Sequence, residues 1–347
     1  MTIGVIVAET GPASALGKPE AEAARLVQKQ LAEGLVEDRE IEIVIYDNET
    51  DDTKAVVDMR KLISEDKAVA VVGGTQTSTS VALREEAIAN QIPLMVLAPI
   101  DQHGDYIFQI PQSNQAVLSL VIQYLQEEGI SKVAWINARD AFGQSGLPIF
   151  EPMAAEAGIE IVQVADFDAT ATDMTVPLTS IRSSNPEALI VWSRPPGAGI
   201  VAQNFKQLGF DIPMIQSHAV ANQGFLDQVG QQGDGILVLS SKLSVLDQLP
   251  DSAQKTILQE FSEQFRDLYN YQPDSFGGYA YDGLHMLIQA IKEGYDTPEA
   301  INDYLKNQMG VYLGISGTYD FSERLDGPLP DGMTLLEIAQ GSWKYRE

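Results

Sequence analysis

The sequence predicts an α/β protein of two lobes, each a parallel sheet with helices on both faces. Three observations carry that expectation. Short apolar runs alternate with segments whose apolar residues recur near 3.6 spacing, the pattern of repeated strand–helix–strand units. The chain has 347 residues, too many for one simple core and suited to two. The alternation also runs twice, in two series that share period and order without an obvious sequence repeat.

The first series opens with a strand at 3–8, and Thr10-Gly11-Pro12 turns out of it. A helix is expected from Pro19 to about residue 32, with Ala24, Leu26, Val27 and Leu31 on its inner face. A second strand at 41–46 meets an acidic loop at 47–52, and a helix follows to about residue 65. The third strand, Ala68-Val-Ala-Val-Val72, is apolar throughout, as befits a strand buried on both faces. It runs into Gly73 and Gly74, then into the hydroxyls of Thr75, Thr77, Ser78, Thr79 and Ser80, before a helical pattern begins at Val81. One hydroxyl there would be a helix N-cap. Five in six positions point to a binding loop, where helix N–H groups and hydroxyls donate together. A fourth strand at 93–98 ends at Pro99-Ile100-Asp101. Parallel sheets take ligands at the carboxyl ends of their strands, so Thr10, Thr75, Thr77 and Asp101 fall on one edge.

In the second series, helices at 114–128, 146–157, 174–183 and 198–208 alternate with strands at 133–137, 159–164, 188–192, 213–216 and 235–239. A connector at 241–252 leads to helices at 253–269, 276–294 and 297–308, and short strands close the chain. Those late helices need a sheet to cover, and a return to the first lobe supplies one. The expected lobes are therefore 1–115 with 246–322, and 116–245 with 323–347, with crossovers near 112–116, 241–250 and 318–330.

Composition narrows the function. With 22 basic against 49 acidic residues the net charge is −27, a field that repels nucleic acid. There is no cysteine, and the three histidines form no metal-ligand pair, so no metal or other cofactor is expected. The acidic loop lacks the spacing of a calcium loop and reads as a solvated face. No dinucleotide, P-loop or nucleophile-elbow motif occurs, and no Ser-His-Asp set stands out, so a binding protein is expected rather than an enzyme. No apolar run is long enough to span a membrane.

Several short motifs recur in one known order: Thr10-Gly-Pro12, Ala15-Leu-Gly-Lys18, Tyr46-Asp47, Val71-Val-Gly73, Asp140-Ala-Phe-Gly143, Asp173-Met-Thr175 and Phe276-Gly-Gly-Tyr-Ala-Tyr-Asp282. Together, over the whole length, they resemble the type I periplasmic solute-binding proteins of the leucine/isoleucine/valine-binding branch of ABC importers. The resemblance implies two Rossmann-like lobes joined by three crossovers and closing on a small-molecule ligand. It also implies a membrane permease as partner, a location in the periplasm or on a lipid anchor outside the cell, and a monomer. A signalling receptor on the same fold is the alternative.

Carried over residue by residue, the resemblance places Thr75 and Thr77 in the loop that meets a ligand carboxylate, with Ile100 and Asp101 completing it. Leu16 and Phe276 match apolar contacts from the first lobe, and Phe142 an aromatic contact from the second. Arg194 falls where another aromatic is usual, and His218 where the family has a glutamate that pairs with an ammonium. His218 removes that fixed negative partner, and Arg194 adds a cation able to hold a carboxylate. The expected ligand is thus a small organic or aromatic carboxylate rather than a plain aliphatic amino acid, while a neutral polar or cationic ligand using Asp101 stays open. Trp192, Tyr279 and Tyr281 are expected in the core.

Overall fold

The computed structural model describes residues 1–36 and 38–346. In chain order the elements are β1 (Thr2–Val7), α1 (Ser14–Ala32), β2 (Glu42–Asp47), α2 (Asp52–Ser64), β3 (Ala68–Gly73), α3 (Thr77–Asn90), β4 (Leu94–Val96) and β5 (Ile107–Gln109). They continue as α4 (Asn114–Glu127), β6 (Lys132–Ala138), α5 (Ala141–Glu156), β7 (Glu160–Phe167), α6 (Thr175–Ser183), β8 (Ala188–Trp192), α7 (Gly197–Gln207), β9 (Met214–Gln216), α8 (Gln223–Val229) and β10 (Ile236–Ser241). The last are α9 (Ala253–Tyr269), α10 (Ser275–Lys292), α11 (Pro298–Asp303), β11 (Tyr312–Leu313), β12 (Thr318–Tyr319), β13 (Met333–Ala339) and β14 (Ser342–Arg346).

The chain divides into two compact units, Met1–Ser113 with Pro250–Gly332 and Asn114–Leu249 with Met333–Glu347. In unit 1 the parallel sheet runs β2-β1-β3-β4-β5. α2 and α3 cover one face, burying Met59, Leu62, Leu83 and Ala87 against Ile6, Val71, Leu94 and Val96. α1 and α10 pack together, and α10 lies on β3. Gly283 permits that approach, since a Cβ there would come within 3.3 Å of Met95 and 3.4 Å of Val72. In unit 2 the sheet runs β14-β13-β10-β9-β8-β6-β7, with β13 antiparallel to β10 and β14 antiparallel to β13. Its core joins α4 and α5 to the sheet through Leu118, Leu125, Trp135, Phe150, Ile190 and Trp192.

Several boundaries differ from expectation for local reasons. α1 starts at Ser14, so Pro19 stands inside the helix; the turn bonds Ser14 N to Gly11 O and Leu16 N to Ala13 O form ahead of it. α3 starts at Thr77, which puts Thr77 to Ser80 within its first turn rather than in a loop before it. α5 starts at Ala141 because the Asp140 carboxylate accepts from Gly143 N at 2.7 Å. β5 and α8, three and seven residues long, carry too little periodicity to read. Residues 323–332, expected in the second lobe, belong to unit 1. Gln109 holds them there: its N–H donates to Leu325 O and its side-chain amide to Asp326 O, both at 3.0 Å.

Candidate functional site

In unit 1 the segments after β1, β3 and β4 meet at the carboxyl edge of the sheet. Thr75 ties the first two together: its hydroxyl accepts from Ala8 N at 2.9 Å and donates to Glu20. Thr77 ties α3 to the segment after β4 by donating to Pro99 O at 3.1 Å. The other hydroxyls are engaged as well, Ser78 and Thr79 on the Asp52 carboxylate and Ser80 on Gly74 O. The cluster read from sequence as a set of ligand donors is therefore first a brace between neighbouring segments. What it leaves for a ligand are the N–H groups of Thr77, Ser78 and Thr79 in the first α3 turn, since that of Ser80 donates to Gln76 O at 2.8 Å.

The remaining unit 1 candidates divide. Leu16 is buried one turn before Glu20 on α1. Phe276 is buried at the start of α10, edge-on to Tyr279, with its N–H capped by Asp274. Ile100 belongs to the hydrophobic core beneath α3, and its N–H donates to the Gln109 side chain. Asp101, the next residue, is exposed. Burial pushes the Asp274 carboxyl up to about 7 against two capping N–H groups that favour its charge.

Unit 2 gathers its candidates more tightly. Phe142, near the start of α5, stacks on Trp192 at the end of β8, with ring centroids 5.6 Å apart. The His218 ring stands edge-on to both, at 5.6 Å from Phe142 and 5.8 Å from Trp192. Arg194, two residues beyond Trp192, pairs through Nε with the Asp140 carboxylate at 3.3 Å. Asp140 is thus both the cap of α5 and the anchor of the guanidinium.

Electrostatically the cluster is unusual. Burial holds His218 down to about 4, so its imidazole is neutral at physiological pH. His218 Nδ1 and Trp192 Nε1 are both buried without a hydrogen-bond partner, each at a cost of about 1–3 kcal/mol if left so. Trp192 is held in place by Gly146, where a Cβ would lie 2.6 Å from the indole nitrogen. Such an edge can hold a flat or branched apolar body against Phe142, satisfy it with neutral hydrogen bonds and offer it one cation.

The structure brings Phe142 and His218 into ring contact around Trp192, with Arg194 two residues beyond it. Sequence reading missed Asp140 as the partner of Arg194, and the polar end of Trp192. It also missed Glu20, although an acid at i+4 from Leu16 inside an otherwise apolar stripe was a visible signal. Among the described residues no group of three or more His, Cys, Asp or Glu could hold a metal ion, and no helix is long and apolar enough to cross a membrane.

Comparison with known proteins accords with this architecture. The chain is 21% identical to an amino acid binding protein of Pseudomonas aeruginosa, over 88% of this chain and 82% of that one. Its fold is similar to that of LivJ, a branched-chain amino acid transporter substrate-binding protein of Streptococcus pneumoniae solved with isoleucine. The TM-score is 0.88 at 23% identity, covering 99% of this chain and 97% of that one. It is similar also to an ABC transporter solute-binding protein of Rhodopseudomonas palustris solved with benzoate. There the TM-score is 0.84 at 20% identity, over 99% and 94% of the two chains. The model of the periplasmic binding protein family matches residues 1–342. The chain belongs to that family, whose members are binding proteins rather than enzymes and act outside the cytoplasm.

Proposed function

We propose that this chain is the solute-binding receptor of an ABC importer, taking up a small organic or aromatic carboxylate and delivering it to a membrane permease. The observation that carries the ligand class is the unit 2 edge. A cation anchored by Asp140, a neutral imidazole and stacked aromatic rings favour an anion with an apolar body. An α-ammonium group finds no such welcome there, because the one carboxylate of the cluster, Asp140, is already engaged by Arg194 and by Gly143 N. The benzoate complex of the Rhodopseudomonas protein supplies a precedent on the same fold, and the isoleucine complex of LivJ supplies the competing one.

A thermal-shift panel separates them. It would set benzoate and branched 2-oxo acids beside leucine, valine and polar cations. A ligand at a hundred times its dissociation constant adds about 2.7 kcal/mol, well above detection. Stabilisation by carboxylates lacking the ammonium supports the proposal, and stabilisation by leucine or valine alone sinks it. The transport role is tested by uptake of the labelled ligand in cells lacking the gene. Normal uptake with a lost response to the ligand would move the chain to the sensing alternative.

A further inference from the structure

Glu20 lies on α1 with none of its surface exposed. One carboxyl oxygen receives the Thr75 hydroxyl, and the other, Oε1, has no partner. Thr75 in turn receives Ala8 N–H, so a single chain of hydrogen bonds runs from the backbone after β1 through the turn after β3 to Glu20. Leu16 is buried one helical turn before Glu20, and Phe276 is buried on α10, which packs against α1. The carboxyl group is thus beneath the same edge that the hydroxyl cluster braces.

We propose that Glu20 is a positioning residue, a proton-linked latch that fixes Thr75, and through it the turns after β1 and β3, while its carboxyl group is uncharged. Among the described residues no cation acts on it to hold a charge. On α1 itself Glu22 is taken by the Tyr271 hydroxyl and lies 3.9 Å from Lys18, while Arg25 pairs with Glu9. From α10 the groups that act on it are the Asp274 carboxyl and the Tyr279 phenol, and Asp274 opposes its charge. Burial raises Glu20 well above an ordinary glutamate; the Thr75 hydroxyl bond, which favours the charge, opposes it without cancelling it, and Asp274 adds to the rise. A buried carboxylate formed there at high pH would have an unsolvated Oε1 and a like charge beside it, and the segment would have to open to hydrate it. The latch is consequently closed while the carboxyl group keeps its proton and released as the pH rises through its raised ionisation.

If the ligand is an anion, as proposed above, the same device keeps the floor of the unit 1 edge uncharged under a carboxylate. That corollary rests on the ligand assignment; the latch itself does not, and it is tested without any ligand. Amide exchange at Ala8, corrected for the intrinsic pH dependence, reports the Thr75 bond directly. In the unliganded protein, protection at Ala8 is expected to fall at least tenfold between pH 6 and pH 9. The Glu20→Gln variant keeps an acceptor for Thr75 but cannot ionise, and should hold protection level across that range. Thr75→Val should abolish the Ala8 protection at every pH. Carbon-13 titration of the Glu20 carboxyl covers the case in which a variant fails to fold. Ionisation near the ordinary glutamate value, or a Glu20→Gln profile that falls in parallel with the parent, overturns the proposal. A pH-dependent latch with no carboxylate binding would instead leave the latch standing and remove only the ligand assignment.

Discussion

The two sheet edges are made of different chemistry although each lies at the carboxyl ends of parallel strands. Unit 1 presents hydroxyls and buried acids, and nearly every hydroxyl is spent on a neighbouring segment: Thr75 on Glu20, Thr77 on Pro99, Ser78 and Thr79 on Asp52. Unit 2 presents rings, one anchored cation and two buried nitrogens with nothing to bond. Satisfied groups stabilise a frame, whereas unsatisfied ones await a partner. The contrast teaches that the motif with more polar residues need not be the one that selects the ligand. On the function proposed above, unit 1 would supply rigidity and first-turn N–H groups, and unit 2 discrimination.

Arg194 offers the sharpest way to break that comparison. Replacing it by Gln removes the cation and leaves Asp140 with only its capping bond to Gly143. Carboxylate affinity should fall by about 2–5 kcal/mol, the range for losing one partner of a charged hydrogen-bonded contact in a binding site. Titration calorimetry with the best carboxylate of the panel reads it. A loss below tenfold would shift discrimination to unit 1.

Proton linkage separates the units next. An unfolded histidine protonates near 6.5, but His218 only near 4, so between these values the unfolded chain binds more protons. Stability from His218 is therefore present above pH 6.5 and lost as the pH falls toward 4, on the order of 3 kcal/mol in total. Asp274 in unit 1 has the opposite sign. Its carboxyl ionises near 3.8 unfolded and about 7 folded, so the folded state holds the extra proton and stability is lost as the pH rises through that window. His285, also in unit 1 and also lowered to about 4, acts in the same sense as His218, so single-site variants are needed. His218→Phe keeps a ring against Phe142 and Trp192 and should flatten the acid limb of a melting-temperature profile. Asp274→Asn keeps a capping side chain and should flatten the neutral limb. Identical profiles for either variant and the parent would remove that group from the account.

Much of this was legible from sequence, and the rest was hidden for identifiable reasons. The strand–helix alternation specified both sheets, because a buried parallel strand such as β3 must be apolar on both faces. Phe142, Arg194 and His218 came within reach through the family resemblance, which matched them position by position; the strand-end rule alone had pointed to Thr10, Thr75, Thr77 and Asp101. Thr77 was read as a ligand donor in the hydroxyl loop, but its hydroxyl bond to Pro99, twenty-two positions on, is a tertiary fact that no local pattern encodes. The same holds for Arg194 and Asp140, which come from turns after different strands. Ile100 illustrates the converse: motif position put it among the contacts, yet its side chain is core and only its neighbour Asp101 reaches solvent.

Gly146 tests whether the unit 2 edge depends on the seating of Trp192. Gly146→Ala would drive a methyl group to 2.6 Å from the indole Cδ1 and Nε1, forcing the ring or α5 to shift. Overpacking of this kind is worth about 1–3 kcal/mol. A lowered denaturant midpoint with shifted tryptophan emission is expected, together with weaker carboxylate binding. Reduced stability with unchanged binding would mean that Trp192 supports the fold without aligning the site.

Thr77 supplies the smallest effect and the most direct check on unit 1. Its hydroxyl donates to Pro99 O, and the residue is nearly buried. Thr77→Val keeps the shape and removes that one bond, leaving a buried carbonyl oxygen short of a donor. The loss should be about 1 kcal/mol in unfolding free energy. Because the backbone N–H of position 77 is untouched, carboxylate affinity should change by less than tenfold. If Thr77→Val instead weakens binding as much as Arg194→Gln while leaving stability unchanged, the hydroxyl faces the ligand rather than Pro99. The division between a bracing edge and a selecting edge would then fail at the residue on which the sequence placed most weight.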